Sequence, residues 1–462
     1  MSDIYGTLNV ASRALLAQQK AISVTGHNIA NANTPGFSRQ RVNMETNEPL
    51  SFYPGQMGTG VRPVSVQRVY DQFIGVQVNH ENQSMGRWSA QKGALERIEM
   101  ILDESTGYGL NQRMSEFWNS WEDISNNPGS PTERVVMLNK AELMLGEFHK
   151  IYQDIEHVQK EIDISISGTM EDINFTAQEI AVLNDKISQT ETGGQDANDY
   201  RDKRDLLLKE LSSMIDITTF ENEKGMVTAL VGRGRPLVEN IFSWNLSAQT
   251  GTSEHKDVVW QDNNGNSAII TQDISGGKLK GWIETRDVKI PEYLNSLDIL
   301  ADSMINEVNN LHEAGLDLNG IAGESFFTGS SASDIAINTS IVDDVNLVAA
   351  ASAGEGVPGG NGNAIDMANL KNRMTMSDGH ASFNDYYNSL VSDIGSNVKQ
   401  ASINVKHETE MLTHLENYRE SISGVSLDEE MVNLVKFQHA YDASAKLIST
   451  IDELLTTLIN MV

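Results

Sequence analysis

Two apolar stripes at helical spacing, one at each end of the 462-residue chain, constrain the fold more than anything between them. At the N-terminus Ile4, Leu8, Ala11, Leu15, Gln18, Ile22, Thr25 and Ile29 recur in alternating steps of four and three, which lines them on one helix face. Pro35 stops that helix, because its ring drives Thr34 out of the α region. At the other end Ser426 and Glu429 have the spacing of a capping box. The alternation resumes there through Leu427, Met431, Leu434, Gln438, Tyr441, Ala445, Ile448, Asp452, Leu455, Ile459 and Val462. A lone amphipathic helix leaves its stripe in water and forgoes about 1.5–3 kcal/mol of burial for each Leu or Ile. Each stripe therefore requires a cover. The two end helices suit each other, but Val432, Val435, Leu447, Ile451 and Leu454 widen the C-terminal face beyond a two-helix seam. Periodicity alone leaves two covers open, an ordinary intramolecular bundle or helices of neighbouring subunits. Gln18 and Gln438 interrupt the seams where buried amides fix register in coiled coils.

Between the stripes the periodicity changes twice. Residues 37–78 carry short β-prone runs such as Val61–Val69, broken by Pro49, Pro54, Gly55, Gly58, Gly60 and Pro63, and read as a strand-containing connector. Helical spacing resumes near Gln83 and continues to Asp103, then from Leu110 to Ser125. A long rod-like helix is expected after Pro131, its stripe running through Leu145, Phe148, Tyr152, Ile155, Ile162, Ile166, Ile173, Ile180 and Ile187 until Gly193 and Gly194. From about 215 to 281 the pattern alternates with Gly-rich turns, as in Met226–Val231, Ser243–Leu246, Asp257–Gln261 and Ala268–Thr271, and predicts an inserted β region. Helical spacing returns over Trp282–Glu313 and Phe383–Ser421, on either side of a Gly/Ser-rich loop spanning Gly315–Asn363. The expected fold is mainly α with a β insertion, elongated and nested. Residues 1–78 with 424–462 make a terminal helical domain with its connector, 79–214 with 282–423 a helical body, and 215–281 a small β domain.

Charge and composition exclude several functions. With 34 Lys+Arg against 64 Asp+Glu the net charge is −30, which repels nucleic-acid phosphates and anionic lipid. Nucleic acid and membrane are therefore not expected partners. Cysteine is absent, so disulfides, thiolate metal sites and Cys nucleophiles are excluded. Residues 1–3 hold an acid and no base, and no apolar core ends in a small-residue cleavage site, so no secretory signal is read there. The longest apolar run, around Leu347–Ala353, is far short of a bilayer span. By ordinary targeting rules the chain is expected in the cytoplasm.

No catalytic, cofactor or metal constellation is read from the chain. Asp196, Asp199, Asp202 and Asp205 form a carboxylate cluster, but Arg201, Lys203 and Arg204 beside it favour a solvated helix start over a calcium site. The run from Asp262 to Gly265 places Gly wrongly for a calcium loop and lacks the closing Glu, so Asn264-Gly265 predicts a hairpin turn. His407 and His414 lie two helical turns apart, too far to share an ion, and Gly232-Arg-Gly234 lacks the rest of a dinucleotide loop. Trp88, Trp118 and Trp121 are expected as core anchors. Asn28, Asn31 and Asn33 suit either hydrogen bonding across subunits or a helix end that tolerates left-handed turns.

The stretch from Ala14 to Ile22 followed by Val24-Thr-Gly-His-Asn-Ile-Ala-Asn-Ala-Asn-Thr-Pro-Gly-Phe-Ser-Arg-Gln-Arg-Val42 closely resembles the N-terminal signature of flagellar rod, hook and hook-associated axial proteins. Its counterpart, from Leu427 to Tyr441, from Ala445 to Leu455 and from Leu458 to Asn460, resembles the C-terminal signature of the same family. Within the chain, the runs Met114–Trp121, Gly193–Asp205, Gly232–Val238, Asp317–Gly320 with Phe326-Phe327, and Ser331–Ala336 resemble the hook-associated branch rather than hook or distal rod subunits, which are the runner-up reading. The resemblance implies a structural adaptor, exported by the flagellar type III apparatus without a cleaved signal, which replaces the cytoplasmic expectation. It further implies assembly at the distal end of the hook, at the hook–filament junction. The expected partners are copies of itself in a tubular axial assembly, the hook protein, a second junction protein, and a cytoplasmic export chaperone at the C-terminal helix. The candidate assembly interface comprises Ile4, Leu8, Leu15, Ile22, Asn28, Ile29 and Asn31 with Leu427, Met431, Leu434, Gln438, Tyr441, Ile448, Leu455 and Ile459. A peptidoglycan hydrolase would need a paired catalytic acid and carboxylate, and no such pair stands out among so many acids. A secreted helical adhesin or effector acting outside a flagellum is the third alternative.

Overall fold

The computed structural model describes residues 2–52, 55–103, 107, 109–251, 255–262 and 264–460. Helix α1 spans Ser2–Asn31 and ends in the turn Thr34-Pro-Gly-Phe37, closed by the Phe37 amide donating to Thr34 O at 3.2 Å. Gly36 sits at φ 78°, a conformation only glycine adopts without strain in that turn. The connector follows as β1 (Gln40–Thr46), β2 (Leu50–Phe52), β3 (Gly55–Met57) and β4 (Val61–Arg68). β1 and β4 form an antiparallel ribbon and β2 and β3 a small hairpin. The ribbon packs back on α1.

Helix α2 runs from Gln72 to Ile101 and starts about three turns before the expected Gln83. Asp71 caps it by accepting from the Phe73 and Ile74 amides, which overrides the β-prone Val76 and Val78. Helix α3 (Leu110–Asn126) leads to α4, Pro131–Thr192, whose 62 residues extend about 90 Å. Ser130 accepts the Glu133 amide, Pro131 occupies the first turn and Gly193 closes the helix. The predicted stripe is buried, with Tyr152 half-buried at its edge. Helix α5 (Asn198–Met214) turns back along α4 and α2.

The β region folds as two antiparallel sheets. One contains β5 (Thr218–Glu221), β6 (Val227–Val231), β7 (Arg235–Glu239) and β8 (Phe242–Ser243), and the other β9 (Asn245–Thr250), β10 (Lys256–Gln261) and β11 (Ser267–Ile269). The expected single strand Ser243–Leu246 is thus divided between the sheets. Both sheets dock on the C-terminal half of α4 through two side-chain amides. Asn174 exchanges hydrogen bonds with the backbone of Leu246 at 2.7 and 2.8 Å, and Asn184 does the same with Val227 at 2.8 and 3.0 Å. A helix carries no free backbone edge, so these amides take the place of a neighbouring strand.

Helix α6 (Gly277–Glu284) continues through a π-helical turn, Thr285–Lys289, into α7 (Ile290–Ala314). The segment expected as a Gly/Ser loop is instead built into the core. Phe326, Phe327, Ala332, Ile335, Ile341 and Val348–Ala351 are buried, and it carries the short helices α8 (Thr339–Asp343) and α9 (Gly362–Asn369). Phe326 and Phe327 join Phe117, Trp118, Trp121 and Phe383 in one aromatic cluster, with Trp118 stacked on Phe383 at 5.8 Å. Trp88 lies instead at a half-buried position under Arg87. Helix α10 (Phe383–Ser423) packs along α2, and Gly424, Val425 and Ser426 join it to α11 (Leu427–Asn460).

Candidate assembly surface at the terminal helices

α1 and α11 pack antiparallel, with the C-terminal end of α1 beside the start of α11. The buried residues of α1 are Ala11, Ala17, Ala21, Val24, Thr25 and Asn28, mostly small, because α1 is covered on one side by α11 and on another by the β1–β4 ribbon. Ile4, Leu8, Leu15, Ile22 and Ile29 flank these positions and are half-buried. On α11, Leu434, Tyr441, Ile448 and Leu455 are half-buried and Ile451 is buried at 4 % exposure, correcting its expected place on the outer face.

Leu427, Met431, Gln438 and Ile459 do not lie in the intrachain seam. They are exposed, Ile459 to 74 %. With Gln18 half-buried and Gln438 in solvent, these two amides do not set a register within the chain. Val432, Val435, Leu447, Leu454 and Leu458 are also exposed. The helix rotates so that its inner row passes through Glu430, Ile451 and Leu455, leaving exposed apolar residues in two groups, Leu427, Met431, Val432 and Val435 near its start and Leu447, Leu454, Leu458 and Ile459 towards its end, with Lys436, Gln438, His439, Asp442 and Lys446 exposed between them. Isolated surface apolar residues are ordinary, but two such groups on one helix are not.

The base of the helix pair is polar and closely bonded. Asn28 is 1 % exposed, and its Nδ2 donates to Gln40 O at 2.9 Å and Glu430 Oε2 at 3.2 Å, while its Oδ1 accepts the Gln40 amide at 2.9 Å. Its hydrogen-bonding groups are thus engaged within the chain rather than across subunits. Asn31 closes the helix end by donating to His27 O at 3.0 Å, and Asn33 is exposed. Ser426 Oγ receives the Glu429 amide at 3.5 Å, but Glu429 does not complete the capping box. Its carboxylate accepts from Arg39 Nη1 at 2.9 Å.

The acidic run divides: Asp196 and Asp199 are exposed, as a solvated helix start requires, whereas Asp202 and Asp205 are drawn into ion pairs. Asp202 is 6 % exposed and accepts from Arg68 at 2.8 Å and the Ser38 amide at 2.8 Å, while Asp205 accepts from Arg68 at 2.6 Å. Burial raises the Asp202 carboxyl above its ordinary value, against the opposing pull of Arg68 and the Ser38 amide. Arg201 and Arg204 turn away to Glu191 and Glu221. Among the described residues no three His, Asp or Glu side chains converge as metal ligands. At the hairpin turn Asp262 accepts from the Asn264 and Asn266 amides and Gly265 stands at φ 85°; Asn263 lies outside the described residues. No helix among the described residues is long and apolar enough to cross a membrane. Sequence reading missed Arg39, Gln40 and Glu430. The signal available for Glu430 was an acid at a position where the helix turns inward.

Residues 95–327 match the model of the flagellar hook-associated protein FlgK helical domain. Residues 8–37 match that of the flagella basal body rod protein, and 419–461 that of the flagellar basal body rod FlgEFG protein C-terminal region. Flagellar hook-associated protein 1 of Bacillus subtilis is 32 % identical, covering 100 % of this chain and 99 % of its own length. The Escherichia coli protein of the same name is 26 % identical over 98 % of this chain and 99 % of its own. The solved structure of the flagellar hook junction protein FlgK from Burkholderia pseudomallei shares the fold, with a TM-score of 0.67 at 13 % identity, covering 75 % of this chain and 100 % of that one. Two paired terminal helices carrying rod-type sequence at both chain ends, set on a helical body, define a flagellar axial protein. The chain belongs to the flagellar hook-associated protein 1 family. It is a structural component of the bacterial flagellum.

Proposed function

We propose that the chain is the structural adaptor at the distal end of the hook, forming the hook–filament junction by self-association in a tubular axial assembly. The observation that carries this reading is the outer face of α11: Met431, Val432, Val435, Leu447, Leu454 and Ile459 are exposed on a helix whose inner face is already seated on α1. Equivalent helices of neighbouring copies cover that face and form the inner wall of the tube. In this reading 1–78 with 424–462 is the assembling domain, 79–214 with 282–423 the body and 215–281 the outward β region. The hook protein lies below it and a second junction protein above. The protein leaves the cell through the flagellar type III apparatus, and a cytoplasmic export chaperone shields the apolar face of α11 until then. Its work is mechanical, with no catalytic step. Deleting 427–462 tests the reading: the body is expected to stay folded and soluble while incorporation at the hook tip is lost. Incorporation of the truncated chain with normal filament attachment overturns it.

A further inference from the structure

The terminal helix pair and its connector are joined to the body at two chain crossings, before α2 and between α10 and α11, and one short segment is bonded to elements at both. The widest freedom is at 424–426, where three residues connect two long helices, α10 and α11, and nothing in their covalent structure fixes the angle between them. Arg39 spans that gap. Its amide donates to Ser423 O at 2.8 Å and its Nη2 to Ile422 O at 3.3 Å, both in the last turn of α10, while Nη1 donates to Glu429 Oε2 at 2.9 Å in the first turn of α11. Its carbonyl accepts the Val69 amide at 2.7 Å, where the ribbon passes into α2. The electrostatics suit a cation at this point. The carbonyl end of α10 carries partial negative charge, and α11 opens with Asp428, Glu429 and Glu430. Arg41 adds a second cation 3.8 Å from Glu429 and Glu430.

The residues on either side of Arg39 bind elsewhere, as the alternation of an extended strand dictates. The Ser38 amide donates to Asp202 on α5. Gln40 exchanges hydrogen bonds with Asn28 on α1, and its Nε2 donates to Asp199 on α5 at 2.7 Å. Three consecutive residues thus reach α1, α5, α10 and α11.

We infer that Ser38, Arg39 and Gln40 fix the direction in which the terminal helix pair leaves the body, and that Arg39, clamped to Glu429 across the α10–α11 joint, is the positioning residue. Its consequence for assembly rests on the function proposed above, since copies stack around a channel only if their terminal pairs project alike. The clamp itself is a property of the single chain and is tested there.

The chain has no cysteine, so Lys278→Cys on α6 and Lys436→Cys on α11 supply the only two thiols for spin labels in the full-length protein. The distance distribution between them is measured for the parent, Arg39→Glu, Glu429→Arg and the double exchange, with near-ultraviolet circular dichroism of the buried Trp118 and Trp121 confirming that the body is folded. Each single exchange is expected to broaden the distribution and raise the population away from the parent distance roughly five-fold, and the double exchange to narrow it again by re-forming one arginine–glutamate pair. If Arg39→Glu perturbs the body, Glu429→Gln gives the same reading with a smaller change. Single variants with the parent distribution, or a double exchange as broad as the singles, overturn the inference. Because the measurement uses the monomer, its outcome is separable from whether the chain incorporates at the hook.

Discussion

Asn28 Nδ2 lies 3.2 Å from Glu430 Oε2, joining two residues 402 positions apart, each 1 % exposed. A buried carboxylate is tolerated only with donors around it, and Asn28 is the donor that α1 supplies. The contact fixes how far α11 slides along α1 at the base of the pair.

Removing that donor has a defined cost. Asn28→Ala leaves Glu430 buried without it and frees the Gln40 amide, for an expected loss of about 1–3 kcal/mol. The expected readout is faster amide hydrogen exchange at the base of the pair, around 22–31 and 430–440, with α4 unaffected. Unchanged exchange in both segments contradicts the assignment of Asn28 as the anchor of the pair.

The two faces of α11 respond differently to the same change. Val432→Asp and Leu454→Asp place charges on exposed positions and are expected to leave the monomer within about 0.5 kcal/mol of the parent while blocking incorporation into flagella. Ile451→Ala removes a buried side chain and is expected to loosen α1 against α11, by about 2–5 kcal/mol if the site cannot collapse. Thermal melts with a motility assay separate the two classes. Outer-face variants that assemble normally contradict the account.

His312 makes the body acid-sensitive. It is fully buried, its Nε2 accepts the Ala349 amide at 2.9 Å, and its other ring nitrogen donates to Glu324 O. Burial lowers its pKa from 6.5 to about 4, with the nearby Arg134 acting in the same direction. The unfolded chain therefore binds this proton before the folded one does. The contribution is fully present above pH 6.5 and is lost as pH falls towards 4, the loss reaching about 2 kcal/mol at pH 5. Denaturant unfolding at pH 7.5 and pH 5 checks it against His312→Gln, which is expected to lose this part of the pH dependence. Equal pH dependence in both proteins excludes His312 as its source.

The helical frame was legible where local chemistry decides it. Pro131 and Gly193 bracket α4, and the stripe from Leu145 to Ile187 is its buried face. The alternating runs before 281 form the β sheets, because period-two patterning with Gly-rich turns between the runs places one face of each strand towards the core. What failed depended on distant partners. The segment from Gly315 to Asn363 reads as a loop because it is rich in glycine and serine, yet Phe326, Phe327 and Ile335 draw it into the core. Residues 72–78 fall within the expected strand-containing connector, and Asp71 starts a helix there instead. The terminal stripes were visible but their rotation was not. Heptad spacing identifies a wide apolar face without saying which row a second helix covers, so Leu427 and Met431 turned outward and Ile451 inward. Glu429 was read as a local cap and serves instead as the partner of Arg39, a pairing across 390 residues that no local pattern contains.

The central claim is that the outer face of α11 is open in the single chain and covered between copies. Val432→Cys, 68 % exposed at its native position in a protein without other thiols, gives the direct measurement through its rate of maleimide labelling in the purified monomer and in intact flagella. Rapid labelling of the monomer and strong protection in the assembled flagellum is the predicted result. Equal labelling in the two states contradicts the account.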